Sequence, residues 1–251
     1  MDDATLRRRL WDGFARLQCL LGGSARHGTV LERDDLVASI VPHAPDSPAL
    51  NAAVALQPQQ ALQALEELNR RYARAGVRRW GLWLDGEEHA VRTALKEAGL
   101  SLATASPGMG AALHELTLEP NGAWRATDLR TVGRVNDQAY GNVDARLERT
   151  LTMLSPHELR AYRVDLHHRP AAVALALHHG GDCGISFVAT IPIARRRGLA
   201  SQVMRAALAE AREDGCTTVS LQATDVGERL YERLGFRRLG PMELWERRPS
   251  R

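Results

Sequence analysis

Aromatic side chains are scarce in this chain, making up 5% of its 251 residues. Leucine, alanine and valine must therefore fill any core, and a hydrophobic content of 44% supplies them. The five tryptophans are dispersed, so no stacking platform accompanies the basic residues. The formal net charge is only +3, too mild to call for a nucleic-acid partner. Cysteine is rarer still. Cys19, Cys183 and Cys216 are too few and too scattered for a disulfide framework or a zinc site, and they read as reduced thiols. No run approaches the roughly 20 apolar residues of a membrane span. The acidic start, Met1-Asp2-Asp3-Ala4-Thr5, lacks the apolar stretch of a signal peptide. These absences lead to the expectation of a cytoplasmic protein with no metal, no membrane association and no nucleic acid.

The length allows one large domain or two small ones. Residues 4–21 read as an amphipathic helix with Leu6, Leu10, Phe14, Leu17 and Leu21 on one face. Strands are expected at 36–41 and 49–56, a long helix at 59–75 stopped by Gly76, a strand at 80–84, a helix at 87–98 stopped by Gly99, and a strand at 109–118. Pro120-Asn121-Gly122 reads as a turn and a module boundary. Beyond it come a helix at 126–140, a short helix at 155–160 capped by Ser155 with Pro156 at its first position, and strands at 173–177 and 185–189 joined by Gly180-Gly181-Asp182. A helix at 198–214, a strand at 217–223, a helix at 226–234 and a strand at 242–247 complete the chain.

The two halves share an order of parts. Val54-Ala55-Leu56-Gln57-Pro58, a helix, Gly76, a strand, a helix and Gly99-Leu100 parallel Val188-Ala189-Thr190-Ile191-Pro192, a helix, Gly215, a strand, a helix and Gly235-Phe236. This reads as a weak internal repeat of a mixed α/β unit.

Arg195-Arg196-Arg197-Gly198-Leu199-Ala200 follows an apolar strand and opens a helix. The first amides of a helix, aided by its dipole, can bind an anion. Gly198 permits backbone geometry costly to other residues, Ala200 is small, and the arginines add positive charge. Alone, such a stretch is commonly a solvated helix start. Here it sits in a strand, basic loop and helix context, with Leu230-Tyr231-Glu232-Arg233-Leu234-Gly235-Phe236 about 30 residues on.

With these two stretches, residues 183–236 resemble the cofactor-binding core of the GCN5-related N-acetyltransferases. Arg195-x-x-Gly198-x-Ala200 satisfies that family's loop, and Leu230-Tyr231-x-x-x-Gly235-Phe236 matches its later motif. The resemblance implies acetyl-CoA or another acyl-CoA as donor. It implies that main-chain groups of Val188, Ala189 and Thr190 pair with the pantetheine arm, and that Arg195, Arg196, Arg197, Gly198, Leu199, Ala200 and Ser201 cradle the pyrophosphate. It implies Tyr231 as the general acid that protonates the departing thiolate. Where the family often has asparagine, seven residues before the tyrosine, this chain has Thr224, which either contacts the pantetheine or caps a helix. The general base is not readable. His178, His179, Asp182, Glu148, Glu158 and Tyr140 lie near the relevant segments, each more readily explained as a surface residue. His167-His168 reads as a solvated turn rather than a metal pair.

The first half lacks these features. Gln59-Gln60-Ala61-Leu62 stands where the other half has its arginine and glycine loop, and Leu95 takes the place of Tyr231. The expected architecture is thus a mixed α/β fold of two tandem acyltransferase-like modules, each a mostly antiparallel sheet flanked by helices. Residues 1–120 form a degenerate module and residues 121–251 a competent one, an order resembling tandem members of the family such as mycothiol synthase. The function implied is transfer of an acetyl group from acetyl-CoA to a primary amine on a small molecule or peptide. A catalytically weak acyl-CoA-binding regulator is the alternative, and a homodimer is left open.

Overall fold

The computed structural model describes residues 1–86, 89–118, 124–154, 157 and 159–248. The turn expected at Pro120-Asn121-Gly122, the cap at Ser155 and Pro156, and the candidate base Glu158 lie outside the described residues. The chain divides into two compact units. The first comprises Phe14–Gly108 with Gly240–Arg251, and the second Met1–Gly13 with Met109–Leu239. Where the sequence pattern places a single crossing near residue 120, the chain thus passes between units at three points.

In the first unit, helix α1 (Asp3–Ser24), which begins in the other unit, is followed by β1 (Thr29–Glu32), β2 (Leu36–Ile40) and β3 (Ala52–Ala55). Then come α2 (Pro58–Ala61), a 3-10 turn, α3 (Leu65–Arg74), β4 (Trp80–Asp85), α4 (His89–Glu97) and the start of β5 (Ser101–Ala112). β1, β2 and β3 pair antiparallel in sequence, β3 and β4 run parallel, and β4 pairs antiparallel with the last strand of the chain. The core gathers Leu36, Ala53, Leu68, Tyr72, Leu82, Leu95 and Trp245. Tyr72 stacks on Trp80 with ring centroids 4.9 Å apart and donates to the Ser39 carbonyl at 3.1 Å, so its buried hydroxyl is satisfied.

The second unit holds the end of β5, a 3-10 turn, β6 (Trp124–Ala126), α5 (Leu129–Tyr140), α6 (Arg146–Thr152), β7 (Leu159–Leu166), β8 (Arg169–His179) and β9 (Asp182–Thr190). α7 (Leu199–Glu213), β10 (Thr218–Gln222), α8 (Asp225–Arg233) and the first residues of β11 (Arg237–Arg247) follow. Its strands are ordered β5-β10-β9-β8-β7-β6, antiparallel from β6 to β9 and parallel between β9 and β10. Two hairpin turns use left-handed backbone at both central residues, Gly180 and Gly181 (φ 58 and 78) and His167 and His168 (φ 51 and 62). That geometry matches the twist of the strands they join. The adjacent histidines are therefore a turn, as their sequence position suggested. Asp128 caps α5, accepting from the Thr131 amide at 2.6 Å, and Gly141 (φ 72) ends it. The core is built largely from Leu, Ala and Val, among them Ala172, Ala174, Val203, Ala207, Leu208 and Val219. The result is a mixed α/β fold with a mostly antiparallel sheet.

Several elements differ from the pattern. Leu159 and Arg160, expected in a short helix, open β7, whose Ala161, Tyr162 and Val164 are buried. The long helix expected at 59–75 is interrupted by the 3-10 turn Leu62–Ala64. β5 starts eight residues before the expected strand, because its first five residues are exposed and carry no alternating apolar signal. β1, β6 and α6 went unpredicted. β1 and β6 are only four and three residues long, and α6 is preceded by Ala145, which has no capping side chain.

Candidate functional site

The site is built where β9 and β10 part. Their parallel pairing runs from Asp182 opposite Thr218 to Ile185 opposite Leu221. β10 ends one residue later and turns into α8, while β9 continues beside β8 to Thr190. From Ser186 to Thr190, the edge of β9 that faces away from β8 has no paired strand among the described residues. Its outward main-chain groups are free to pair with an extended amide chain. Val188, Ala189 and Thr190 all lie on this stretch.

The same stretch is distorted. Ala189 pairs with Val173 and Ser186 with Leu175, so β9 advances three residues while β8 advances two. The extra residue marks a bulge, and Phe187 there has φ 52, left-handed backbone unusual for an aromatic residue. The strain costs roughly 1–2 kcal/mol and re-aims the main chain beside the gap.

After β9, a 3-10 turn at Pro192–Ala194 leads into the arginines. Arg196 (φ 59) and Gly198 (φ 76) are both left-handed, so the loop folds into a concave cup of amides at the start of α7. Gln202 is the first to donate into the helical ladder, to the Gly198 carbonyl at 3.1 Å. The amides of Leu199, Ala200 and Ser201 precede it and point out of the helix at its positive end. A Cβ added at Gly198 meets nothing within 4 Å, so open space lies over the cup. Two buried polar atoms beside it lack a hydrogen-bond partner, Thr190 Oγ1 at the strand end and Gln202 Oε1 in the first turn. A diphosphate with an amide-bearing arm fits this donor set.

The arginines divide the labour. Arg196 and Arg197 are exposed, with no ion pair among the described residues. Arg195 points elsewhere. Its Nε donates to the Thr190 carbonyl at 3.2 Å and its Nη2 to the Ala139 carbonyl at 2.9 Å.

Thr224 caps α8, its hydroxyl accepting from the Gly227 amide at 3.2 Å. Of the two roles open to it from the sequence, the structure shows the cap. Because β10 runs directly into this helix, α8 begins at the open end of the β9–β10 gap. Tyr231 lies on its second turn, 6% exposed, with its ring 5.8 Å from Phe236. Gly227, one turn earlier, leaves room for the ring, since a Cβ there would meet Tyr231 Cε2 at 3.1 Å. The Tyr231 hydroxyl makes no hydrogen bond among the described residues. Burial, with a smaller contribution from the nearby Tyr140 phenol, pushes its pKa above that of an ordinary tyrosine.

The carboxylates and histidines considered as bases are placed differently. His178, His179 and Asp182 sit at the β8–β9 hairpin, the opposite end of β9 from Thr190. Eight strand residues separate Asp182 from Thr190, about 26 Å. Asp182 is buried and accepts from Thr218 Oγ1 and Ser220 Oγ, both at 2.6 Å, while Arg9 donates to Thr218 Oγ1 at 2.7 Å. Burial raises its pKa against the opposing pull of these hydroxyls and of Arg9. It is a structural carboxylate that ties α1 to the sheet. His178 faces Asp214 at 3.2 Å, and burial lowers its pKa. Glu148 pairs with Arg130 at 2.8 Å. Tyr140 alone of the described candidates is found at the open end, 58% exposed at the last residue of α5. No sequence signal announced the bulge at Phe187 or the bond from Arg195 to Ala139, which are set by partners distant in the chain.

Residues 136–236 match the model of the Acetyltransferase (GNAT) family, spanning the last turns of α5 through α8 and hence the whole site. The match covers less than half of the chain, and that segment is similar to the GCN5-related N-acetyltransferases. Solved structures agree on the fold. A GCN5-related N-acetyltransferase from Kribbella flavida is 21% identical with a TM-score of 0.70, covering 97% of this chain and 96% of that one. A putative GNAT-family acetyltransferase from Novosphingobium aromaticivorans is 18% identical with a TM-score of 0.57, covering 88% and 92%. A tandem GNAT protein from the clavulanic acid biosynthesis pathway is 13% identical with a TM-score of 0.55, covering 86% and 79%. A comparison with curated proteins finds no match.

Proposed function

We propose that the protein is an N-acetyltransferase that moves an acetyl group from acetyl-CoA to a primary amine of a small molecule or peptide. The observation that carries this reading is continuity. The bare edge of β9 from Ser186 to Thr190 leads without interruption into the left-handed cup at Arg196 to Gly198. A ligand with an amide-rich arm ending in a diphosphate needs those two features in that order.

Acetyl-CoA supplies an activated acyl group on a thioester. The chain's own contribution is mostly placement. Val188, Ala189 and Thr190 hold the pantetheine arm as an added strand, and the amides of Arg197 to Ser201 hold the diphosphate. Fixing donor and acceptor together removes much of the entropic barrier. As the carbon–sulfur bond breaks, Tyr231 donates its phenolic proton to the leaving sulfur. The phenol carries its proton at neutral pH, as a general acid must, and burial raises its pKa further. The carboxylate of β9, Asp182, is held by Thr218 and Ser220 at the far end of the strand, so the amine gives up its proton to water.

The first unit reads as a degenerate module of the same kind. Its β3–β4 pair is parallel, like β9–β10, but pairing reaches Val54 and β3 ends at Ala55, so no gap opens. Gln57 precedes the next helix with φ −130, so the left-handed cup is missing. Leu95, fully buried, stands in the core where α8 has Tyr231. The test is equilibrium binding of acetyl-CoA, followed by CoA release over a panel of primary amines. Binding with release supports the transferase. Binding without release for every amine favours a regulatory acyl-CoA-binding protein, and no binding rejects both.

A further inference from the structure

The first arginine of the loop carries its charge away from the cup it introduces. Arg195 spans two carbonyls, that of Thr190 at the end of β9 and that of Ala139 in the last turn of α5. These lie 56 residues apart in sequence for the second bond. The α5 carbonyl is one of the last four of its helix, which the ladder leaves unpaired. Those of Asp137 are already taken, accepting the Gly141 and Asn142 amides. A guanidinium at this end also opposes the negative pole of the helix. A planar fork reaches two acceptors at once, which an ammonium cannot do with the same geometry.

The residue after Ala139 is Tyr140, exposed, and close enough to Tyr231 to raise the pKa of its phenol. α5 also passes beside β8 and β9, and Gly133 lets α6 approach it, since a Cβ there would meet Glu148 Cα at 2.5 Å. The last turn of α5 is therefore a wall of the open end of the site, joined to the loop by Arg195.

We propose that Arg195 is a positioning residue that couples the cofactor loop to the last turn of α5. Seating a diphosphate in the cup thereby orders Tyr140 and the wall against which an acceptor rests. The proposal rests on the acetyl-CoA reading above. It assigns Arg195 no contact with the phosphates. The loop, the strand end and the helix end form one triangle with the guanidinium at its centre, so stiffening one corner is felt at the others.

Hydrogen–deuterium exchange on the full chain, with and without saturating acetyl-CoA, tests it. In the wild type, acetyl-CoA slows exchange both at residues 199–203 and at residues 136–142. In Arg195→Ala at saturation, slowing at 199–203 persists, while the ligand-induced slowing at 136–142 falls about five-fold or more, the lower edge of ordinary coupling between sites. Arg195→Lys, which keeps the charge but not the fork, falls between. Slowing at 136–142 that is equal in Arg195→Ala and the wild type overturns the proposal. So does a wild type that binds and protects its loop but not α5. A wild type that shows no protection at 199–203 and no binding overturns the acetyl-CoA reading itself. An Arg195→Ala chain whose 136–142 amides exchange fully without ligand, and are rescued by acetyl-CoA, also refutes the coupling.

Discussion

Tyr231→Phe separates chemistry from packing more cleanly than any other substitution in this site. The phenylalanine keeps the ring, its contact with Phe236 at 5.8 Å and its fit over Gly227. What is lost is a hydroxyl with no hydrogen-bond partner among the described residues. A typical satisfied hydrogen bond contributes about 1 kcal/mol, and this one has none to lose. Stability should therefore change by less than about 0.5 kcal/mol, within roughly 2 °C of melting temperature for a chain this long. Acetyl-CoA affinity should hold within a few-fold, because in the proposed reading the arm and the diphosphate are bound by main chain. Turnover should fall about 10- to 100-fold, equivalent to about 1.4–2.7 kcal/mol of barrier. The assay is CoA release at saturating acetyl-CoA with an amine that the wild type accepts, beside a thermal melt and a binding isotherm. Unchanged turnover removes Tyr231 as the acid. A melting temperature lower by more than about 5 °C would show instead that the hydroxyl supports the fold, contrary to its lack of a partner.

Four further outcomes follow from particular residues. Gly198→Ala, at φ 76 in open space, should cost about 1 kcal/mol of stability through backbone strain alone. Gly198→Asp adds a negative charge facing the diphosphate and should weaken acetyl-CoA binding at least ten-fold, about 1.4 kcal/mol, which calorimetric titration would read. Asp182→Ala strips the acceptors from Thr218 and Ser220 and should cost about 2–4 kcal/mol in urea unfolding. Acetyl-CoA affinity should not change, because the residue lies at the other end of β9, and a loss of affinity would contradict its structural role. Burial pushes the Cys216 thiol up to about 11, and it raises the Cys183 thiol and the phenols of Tyr72, Tyr162 and Tyr231. Each group keeps its proton longer folded than unfolded. The stability they contribute is present in full below about pH 8.5 and is lost as pH climbs through about 11. A urea midpoint that stays flat between pH 8 and pH 11 would refute this.

Much of the fold was legible because glycine punctuation is local. Gly76, Gly99, Gly215 and Gly235 were read as helix stops, and all four have φ between 71 and 97, where a side chain would be strained. The left-handed backbone at Gly198 was legible for the same reason. What escaped the sequence depends on distant partners. Phe187 takes a left-handed conformation that no pattern assigns to phenylalanine, because β8 and β9 disagree in register by one residue. Arg195 reads as one of three equivalent cations until Ala139 and Thr190 are seen to claim it. Asp182 looked close to the cofactor core in sequence, yet an extended strand carries it about 26 Å from the loop. Leu159 and Arg160 followed a proline and read as helix, but Leu159 pairs with Leu177 and Arg160 with Ala176 across a hairpin.

The interleaving of the two units has a consequence for biosynthesis. The first unit contains residues 14–108 but also the terminal strand residues from Gly240 onward. Glu243 accepts from Trp245 Nε1 at 3.0 Å and pairs with Arg92, while Arg79 pairs with Glu246 at 3.0 Å. About 130 residues emerge between Gly108 and that strand, and at 5–20 residues per second the wait is roughly 7–26 s. During that interval β4 has an open edge, whose partner Met242–Arg247 is still within the ribosome or not yet made. The half of the chain translated first is thus completed last, and a ribosome stalled late in the message leaves its sheet unfinished.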